Sequence, residues 1–234
     1  MTKTITTLGL LLAATSAFAT PITPSYDTFG KLDGATYGGS GIPNDPSAIS
    51  YVINPTSGAT DVTLGMIATP RFSSPALTNN GAGVFYATNG AFTPPPGGDT
   101  NYALWNFDFY VGGPRASAYT YKLFYDMDPG ADTDDSAMGV ITISGRQLPS
   151  NPYQDSWNLG MNFLTVDGGA VNAPDYLNFD PGMPGEYSFA LVAYSDGQEV
   201  ARSAIIVSVP EPASIALVGV ALLGAGMAGR RRRS

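Results

Sequence analysis

Neither cysteine nor histidine occurs anywhere in this 234-residue chain. Without cysteine there are no disulfide staples, no thiol nucleophile and no thiolate metal site. Without histidine there is no Ser-His-Asp triad and no imidazole-bound zinc. No glycine-rich loop is followed by the lysine that a phosphate-binding loop needs. Charge is sparse, at 13% of residues, and positive charge is sparser still. Of the 11 basic residues, Lys3 and the four arginines of the C-terminus lie outside residues 20–208, leaving 6; of the 19 acidic residues only Glu211 does, leaving 18. The central segment therefore has a net charge of −12, which gives no electrostatic basis for binding nucleic acid. A carboxylate pair for glycoside hydrolysis survives these exclusions. However, Glu186 sits at a strand start and Glu199 beside a turn, so both read as surface charges, and the chain reads as a non-enzyme.

The two ends differ sharply from the middle. Residues 1–19 have the layout of a secretory signal peptide: Lys3 is the positive flank, Leu8 to Ala14 the apolar core, and Ala17-Phe18-Ala19 the small-x-small cleavage site. Residues 209–234 begin with Val209, Pro210, Glu211 and Pro212, continue through an apolar run at 213–229, and end in Arg230, Arg231, Arg232, Arg233 and Ser234. As a helix the run would be roughly 26 Å long, a marginal membrane span. The arginines behind it would stay on the cytoplasmic side and hold everything before Pro210 outside. The prolines flanking Glu211 keep that stretch out of a helix. Ala221, Ala225 and Gly229 add a small-residue stripe suited to helix packing in the precursor. An arginine run directly behind an apolar run is not the setting of a nucleic-acid patch.

This three-part tail resembles the PEP-CTERM sorting signal of Gram-negative bacteria, with the signature on Pro210, Glu211 and Pro212, the span on 213–229 and the basic cluster on Arg230 to Arg233. The resemblance implies a signal peptidase and an exosortase-type transpeptidase as processing partners. It further implies a precursor anchored in the inner membrane and delivery to the cell envelope or extracellular matrix. It does not describe what residues 20–208 do.

Those residues are rich in Gly, Pro, Asn, Asp, Thr, Tyr and Phe, and no segment keeps apolar residues at helical spacing over three turns. Thr20 to Pro46 reads as loop. Strands are predicted at Ala48–Ile53, Asp61–Ala68, Gly83–Thr88, Leu104–Val111, Tyr119–Tyr125, Gly139–Ser144, Tyr187–Tyr194 and Val200–Val209. In Leu104–Val111, Trp105, Phe107, Phe109 and Val111 alternate with Asn106, Asp108 and Tyr110, which assigns the first set to a buried face. A second alternation, Trp157, Leu159, Met161 and Phe163, predicts another strand. Asp196-Gly197 predicts a hairpin turn. Pro70 to Gly81 is polar and proline-broken, and Gly90 to Thr100 is a stiff loop. Many short strands with no helices between them predict an all-β fold, an antiparallel β-sandwich of jelly-roll or immunoglobulin-like kind in one domain.

Two features bear on chemistry. Residues 126–135 place five aspartates on a strand connection. Their first two match the opening of an EF-hand calcium loop, but Ala131 stands where the glycine belongs and Ala137 where the terminal glutamate does. The run reads first as a solvated acidic loop and second as a calcium loop with Asp126, Asp128, Asp132 and Asp134 as ligands; no other cofactor is implied. The 13 tyrosines, among them Tyr102, Tyr110, Tyr119, Tyr121 and Tyr125, read as packing residues or else as an aromatic platform for sugars. The sequence thus points to an exported surface or matrix protein whose body is structural or associated with extracellular polysaccharide. Carbohydrate binding is the main alternative activity. Ice binding, for which the threonines are too scattered, and glycoside hydrolysis rank behind it.

Overall fold

The computed structural model describes residues 21–72, 75–92 and 101–211. The signal peptide with Ala17 and Ala19, residue Pro212, the apolar run 213–229 and Arg230 to Arg233 lie outside the described residues. Fourteen strands are seen within them. The first seven are β1 (Thr28–Gly30), β2 (Ser47–Ile53), β3 (Thr60–Pro70), β4 (Thr78–Asn79), β5 (Val84–Tyr86), β6 (Ala91–Phe92) and β7 (Tyr102–Ala103). The rest are β8 (Trp105–Gly112), β9 (Thr120–Tyr125), β10 (Gly139–Ser144), β11 (Tyr153–Trp157), β12 (Val171–Asn172), β13 (Gly185–Ser195) and β14 (Gln198–Val209).

Two sheets face each other, one in the order β1-β2-β3-β8-β11 and one in the order β12-β10-β9-β13-β14-β5-β4, with β6-β7 as a separate short pair. The predicted all-β sandwich is what the chain forms. Every described pairing is antiparallel except that of β14 with β5, where Val207 lies opposite Phe85 in parallel register. Between β13 and β14 the predicted turn is present: Asp196 at φ 50° and Gly197 at φ 78° supply the two positive φ values of a tight hairpin turn.

Burial of one aromatic layer holds the sheets together. Trp105, Phe107, Phe109 and Val111 of β8 are all at most 2% exposed. Phe107 stacks on Phe189 of β13 at 4.5 Å between centroids, and Trp105 meets the same ring edge-on at 6.0 Å. The facing sheet contributes Tyr121, Leu123 and Tyr125 from β9 and Ile205 and Val207 from β14, each 0% exposed. Side chains of this size contribute about 1.5–3 kcal/mol each on burial. Two serines tie the layers at their backbones: Ser50 Oγ donates to the Arg202 carbonyl at 2.5 Å and Ser203 Oγ to the Ala48 carbonyl at 2.7 Å.

The structure departs from the sequence reading in several places: the short strands β4 and β6 lie in stretches read as polar or stiff loop and β12 was not expected, and three further departures shape the site. Strand β1 lies inside the stretch read as loop, paired with β2 through Phe29 and Ala48. The strand expected at Trp157–Phe163 does not form: β11 covers Tyr153–Trp157 instead and shares only Trp157 with it, and Asn162–Thr165 is a 3-10 turn. The cause is Asn158, whose amide takes over the work of a strand backbone. Its Oδ1 accepts from the Ala103 and Gly160 amides, while its Nδ2 donates to the carbonyls of Ala103 and Trp105. Finally, β8 is buried on both faces: Asn106 is 9% and Asp108 0% exposed. The polar side of the alternation is covered by the loop between β1 and β2, not by water.

Truncating Phe107 removes the ring shared by both layers. Phe107→Ala should lower unfolding stability by about 3–5 kcal/mol, read as a shift of the chemical denaturation midpoint.

Candidate functional site

The loop that covers β8 also builds one wall of a groove. Leu32 and Tyr37 pack down on the outer face of the five-stranded sheet, where Gly65 of β3 leaves room for the Leu32 side chain. Gln154 of β11 pins the loop by accepting from the amides of Thr36 and Tyr37, both at 2.8 Å. The Tyr37 hydroxyl pairs with Ser47 Oγ at 2.7 Å. At Gly38, φ is +79° and a Cβ would sit 3.3 Å from Asp155 Oδ1, so only glycine lets the backbone turn this close to β11. The chain then rises over Gly39, Ser40 and Gly41, leaving a groove of about 540 Å3 between the loop, the end of β3 and the edge of β11.

The groove is half polar and half apolar in character. Thr69, Asn106, Asp155 and Ser156 supply polar groups, with Arg71, Phe72, Ile42 and Met161 around them. Phe72 is 82% exposed and has φ 48°, a left-handed conformation that costs energy in a residue with a Cβ. Arg71 beside it lies among three rings, its guanidinium carbon 4.8 Å from the Phe72 centroid, 5.3 Å from Phe92 and 4.3 Å from Tyr102. Its Nη1 donates to Asn106 Oδ1 at 3.3 Å, while Nε is buried without an acceptor among the described residues. Burial holds the Arg71 pKa below the usual arginine value, opposed by Tyr102.

Asp108 lies beneath this floor, opposite Ile67 and Ser156 in register. It is fully buried, and neither carboxylate oxygen completes a hydrogen bond within the described residues. Burial pushes its pKa up to about 7; the nearby Ser156 and Thr69 hydroxyls oppose the rise and the Asp155 charge adds to it.

The acidic run follows the end of β9. Asp126 is 1% exposed, accepts from the Asp128 amide at 2.8 Å through Oδ1, and leaves Oδ2 buried without a partner. Burial raises its pKa to about 7 against the backbone hydrogen bond from Asp128. Asp128 Oδ1 accepts from the Gly130 amide and Asp134 Oδ1 from the Ser136 amide, both in local turns. Asp132 sits at φ 60°. Among the described residues no group of three or more acidic side chains is gathered as a metal would require.

The tyrosines divide differently from a platform. Tyr121 and Tyr125 are 0% exposed, and their hydroxyls donate to the carbonyls of Ala116 and Leu164. The Tyr119 hydroxyl donates to Asp61 Oδ2 at 3.0 Å. Tyr110 is half-buried, and Tyr102 serves the Arg71 cage. The strongly exposed ring at the groove is Phe72, in a stretch that the sequence marked only as polar and proline-broken. The available signal was an arginine next to an aromatic residue in a body with few basic residues.

At the C-terminus, Val209 is the last residue of β14, pairs with Gly185 and is 3% exposed, so the first residue of the candidate sorting tetrapeptide belongs to the sandwich. Pro210 and Glu211 are exposed. Among the described residues no helix is long and apolar enough to cross a membrane. Fold and tail together define an exported β-sandwich with a sorting address at its C-terminus. Residues 208–233 match the family model described as the PEP-CTERM protein-sorting motif, so the chain carries the signal of an exosortase-sorted protein. No curated protein and no solved structure matches the chain.

A buried carboxyl with a raised pKa sets the sign of the pH dependence. Below the unfolded value of 3.8, Asp108 and Asp126 are protonated whether the chain is folded or not. Between there and about 7 the folded chain holds the protons more tightly, so stability falls as pH rises through that window. Urea midpoints measured at pH 4.5 and pH 8 should show Asp108→Asn flattening this decline, with its gain over the parent confined to pH 8.

Proposed function

We propose that the body is a polysaccharide-associated module of the cell envelope or extracellular matrix, and that the groove on the five-stranded sheet holds a sugar chain. The observation that carries this reading is Phe72: a ring 82% exposed, held in a left-handed backbone conformation at the rim of a half-polar groove. A sugar needs this combination, an apolar surface for its C–H face and fixed polar groups for its hydroxyls. Thr69, Asn106, Asp155 and Ser156 provide the second part. The sorting motif, which marks an exported protein, supports a ligand outside the cell.

In this reading the protein is not an enzyme and its acidic loop holds no cation, with Asp126 buried and the other aspartates of the run turned toward solvent. Supporting the latter, Asp126, Asp128 and Asp134 each direct an oxygen to the chain's own backbone amides. Millimolar calcium should then leave the melting temperature unchanged; a clear rise would instead assign a cation to Asp126, Asp128, Asp132 and Asp134.

Polysaccharide binding is tested by cosedimentation of the full chain with extracellular polysaccharide from Gram-negative cultures. Saturable binding is expected, with Phe72→Ala weakening it roughly tenfold, about 1.4 kcal/mol. A chain that cosediments with none of these polymers would be a purely structural component.

A further inference from the structure

We infer that the groove selects acidic sugars, its ligand being a uronate residue whose carboxylate is held by the Arg71 guanidinium while the sugar ring lies against Phe72. This rests on the reading of the groove as a sugar site and names the class of sugar.

The inference starts from how the other cations of this acidic body are placed. Of the five others, three are paired, Lys31 with Asp33 at 3.0 Å, Arg115 with Asp61 at 3.8 Å and Arg202 with Glu199 at 2.7 Å, while Arg146 is exposed to water and Lys122 lies 5.3 Å from the Tyr194 centroid, neither with an ion pair among the described residues. Arg71 forms no ion pair among the described residues, although it is half-buried and its Nε has no acceptor there. Taking a cation out of water without a counter-charge is unfavourable, and buried charges are as a rule paired. Aromatic faces compensate part of that loss. A carboxylate on the groove side would supply the rest through short, charge-assisted hydrogen bonds to a planar fork.

The guanidinium is also held in place before any ligand arrives. Three rings flank it, and Asn106, which accepts from its Nη1, is itself fixed. Asn158 Nδ2 donates to Asn106 Oδ1 at 2.8 Å, and Asn106 Nδ2 donates to Ser156 Oγ at 2.9 Å. A fixed donor loses little freedom on binding, which raises affinity for the group that fits it. The body's net negative charge does not cancel this contact. At physiological ionic strength the Debye length is about 8 Å, so remote carboxylates are screened while a direct pair is not; the one carboxylate in the groove lining, Asp155, has an oxygen engaged by the Ser156 amide at 2.8 Å.

The test uses the full chain in detergent at physiological ionic strength, titrated with an oligosaccharide set. The set holds oligogalacturonates, alginate and glucuronate oligomers, their uncharged galacto-, manno- and gluco-counterparts, sulfated oligosaccharides, and oligoglutamate as an acidic peptide. The expected result is that uronate oligomers bind at least tenfold more tightly than every other group. Arg71→Met should abolish that preference while the thermal melt and residual binding of neutral sugars persist, and Arg71→Lys should restore it only in part. Asp99→Asn, which removes a carboxylate close in sequence to Tyr102, should leave uronate affinity within threefold. Four outcomes overturn the inference: equal binding of neutral chains, preference for sulfated chains or oligoglutamate, uronate binding that survives Arg71→Met, or a tenfold gain in Asp99→Asn, which would make Asp99 the partner of Arg71. Neutral sugars binding alone would leave the sugar-site reading standing, whereas no binding of any sugar would remove both.

Discussion

Strand β8 is buried on both of its faces, and the fold and the groove alike follow from satisfying that constraint. Its inward side is the easier to satisfy, because Trp105, Phe107, Phe109 and Val111 need only apolar contact, which the opposite sheet supplies through Tyr187 and Phe189. Its outward side presents Asn106 and Asp108, whose polar atoms need partners once water is excluded. Asn106 finds them in Asn158, Ser156 and Arg71. Asp108 does not, and stays protonated to higher pH instead. The loop that excludes water from this face is therefore tied to the groove above it: Gln154 and Ser47 hold the loop down, and its glycines form the wall.

The inward half of this arrangement was legible from the sequence. Alternation in β8 and in Tyr121, Leu123 and Tyr125 assigns the right residues to the core, because burial against a second sheet is a local, period-two signal. Asp196-Gly197 likewise specifies its turn through local backbone preference. The outward half was not legible, because what covers Asn106 and Asp108 comes from more than sixty residues earlier in the chain. The same limit explains the end of β11. The run from Trp157 to Phe163 keeps a strand's alternation, yet Asn158 caps the neighbouring backbone and leaves Phe163 43% exposed. Nothing in the residue pattern distinguishes an asparagine that faces water from one that replaces a ladder of backbone bonds.

Aromatic residues make the same point about function. The tyrosines read first as packing residues and only second as a platform, and here Tyr121, Tyr125 and Tyr187 bury their rings while their hydroxyls reach carbonyls. The candidate ligand-facing ring is a phenylalanine with no hydroxyl to satisfy, placed by an unfavourable φ just after β3 ends. Strain of this kind appears only once the backbone is known. Arg71 was visible as one of few cations, but its cage of three rings draws on separate segments of the chain.

The sorting address and the groove are joined by the same geometry. Trp105, at the start of β8, packs on Tyr187, and Tyr187 is paired with Val207, two residues before β14 ends at Val209. Arg71 follows directly on Pro70, which lies opposite Trp105. The groove's cationic end and the point where the chain leaves the sandwich are thus at the same end of the body. The acidic loop is there too, with the Glu186 amide donating to the Pro129 carbonyl beside Gly185. Val209 is both the last residue of β14 and the first of the sorting tetrapeptide, so the matched motif, which starts at residue 208, begins inside the sheet at this end of the body.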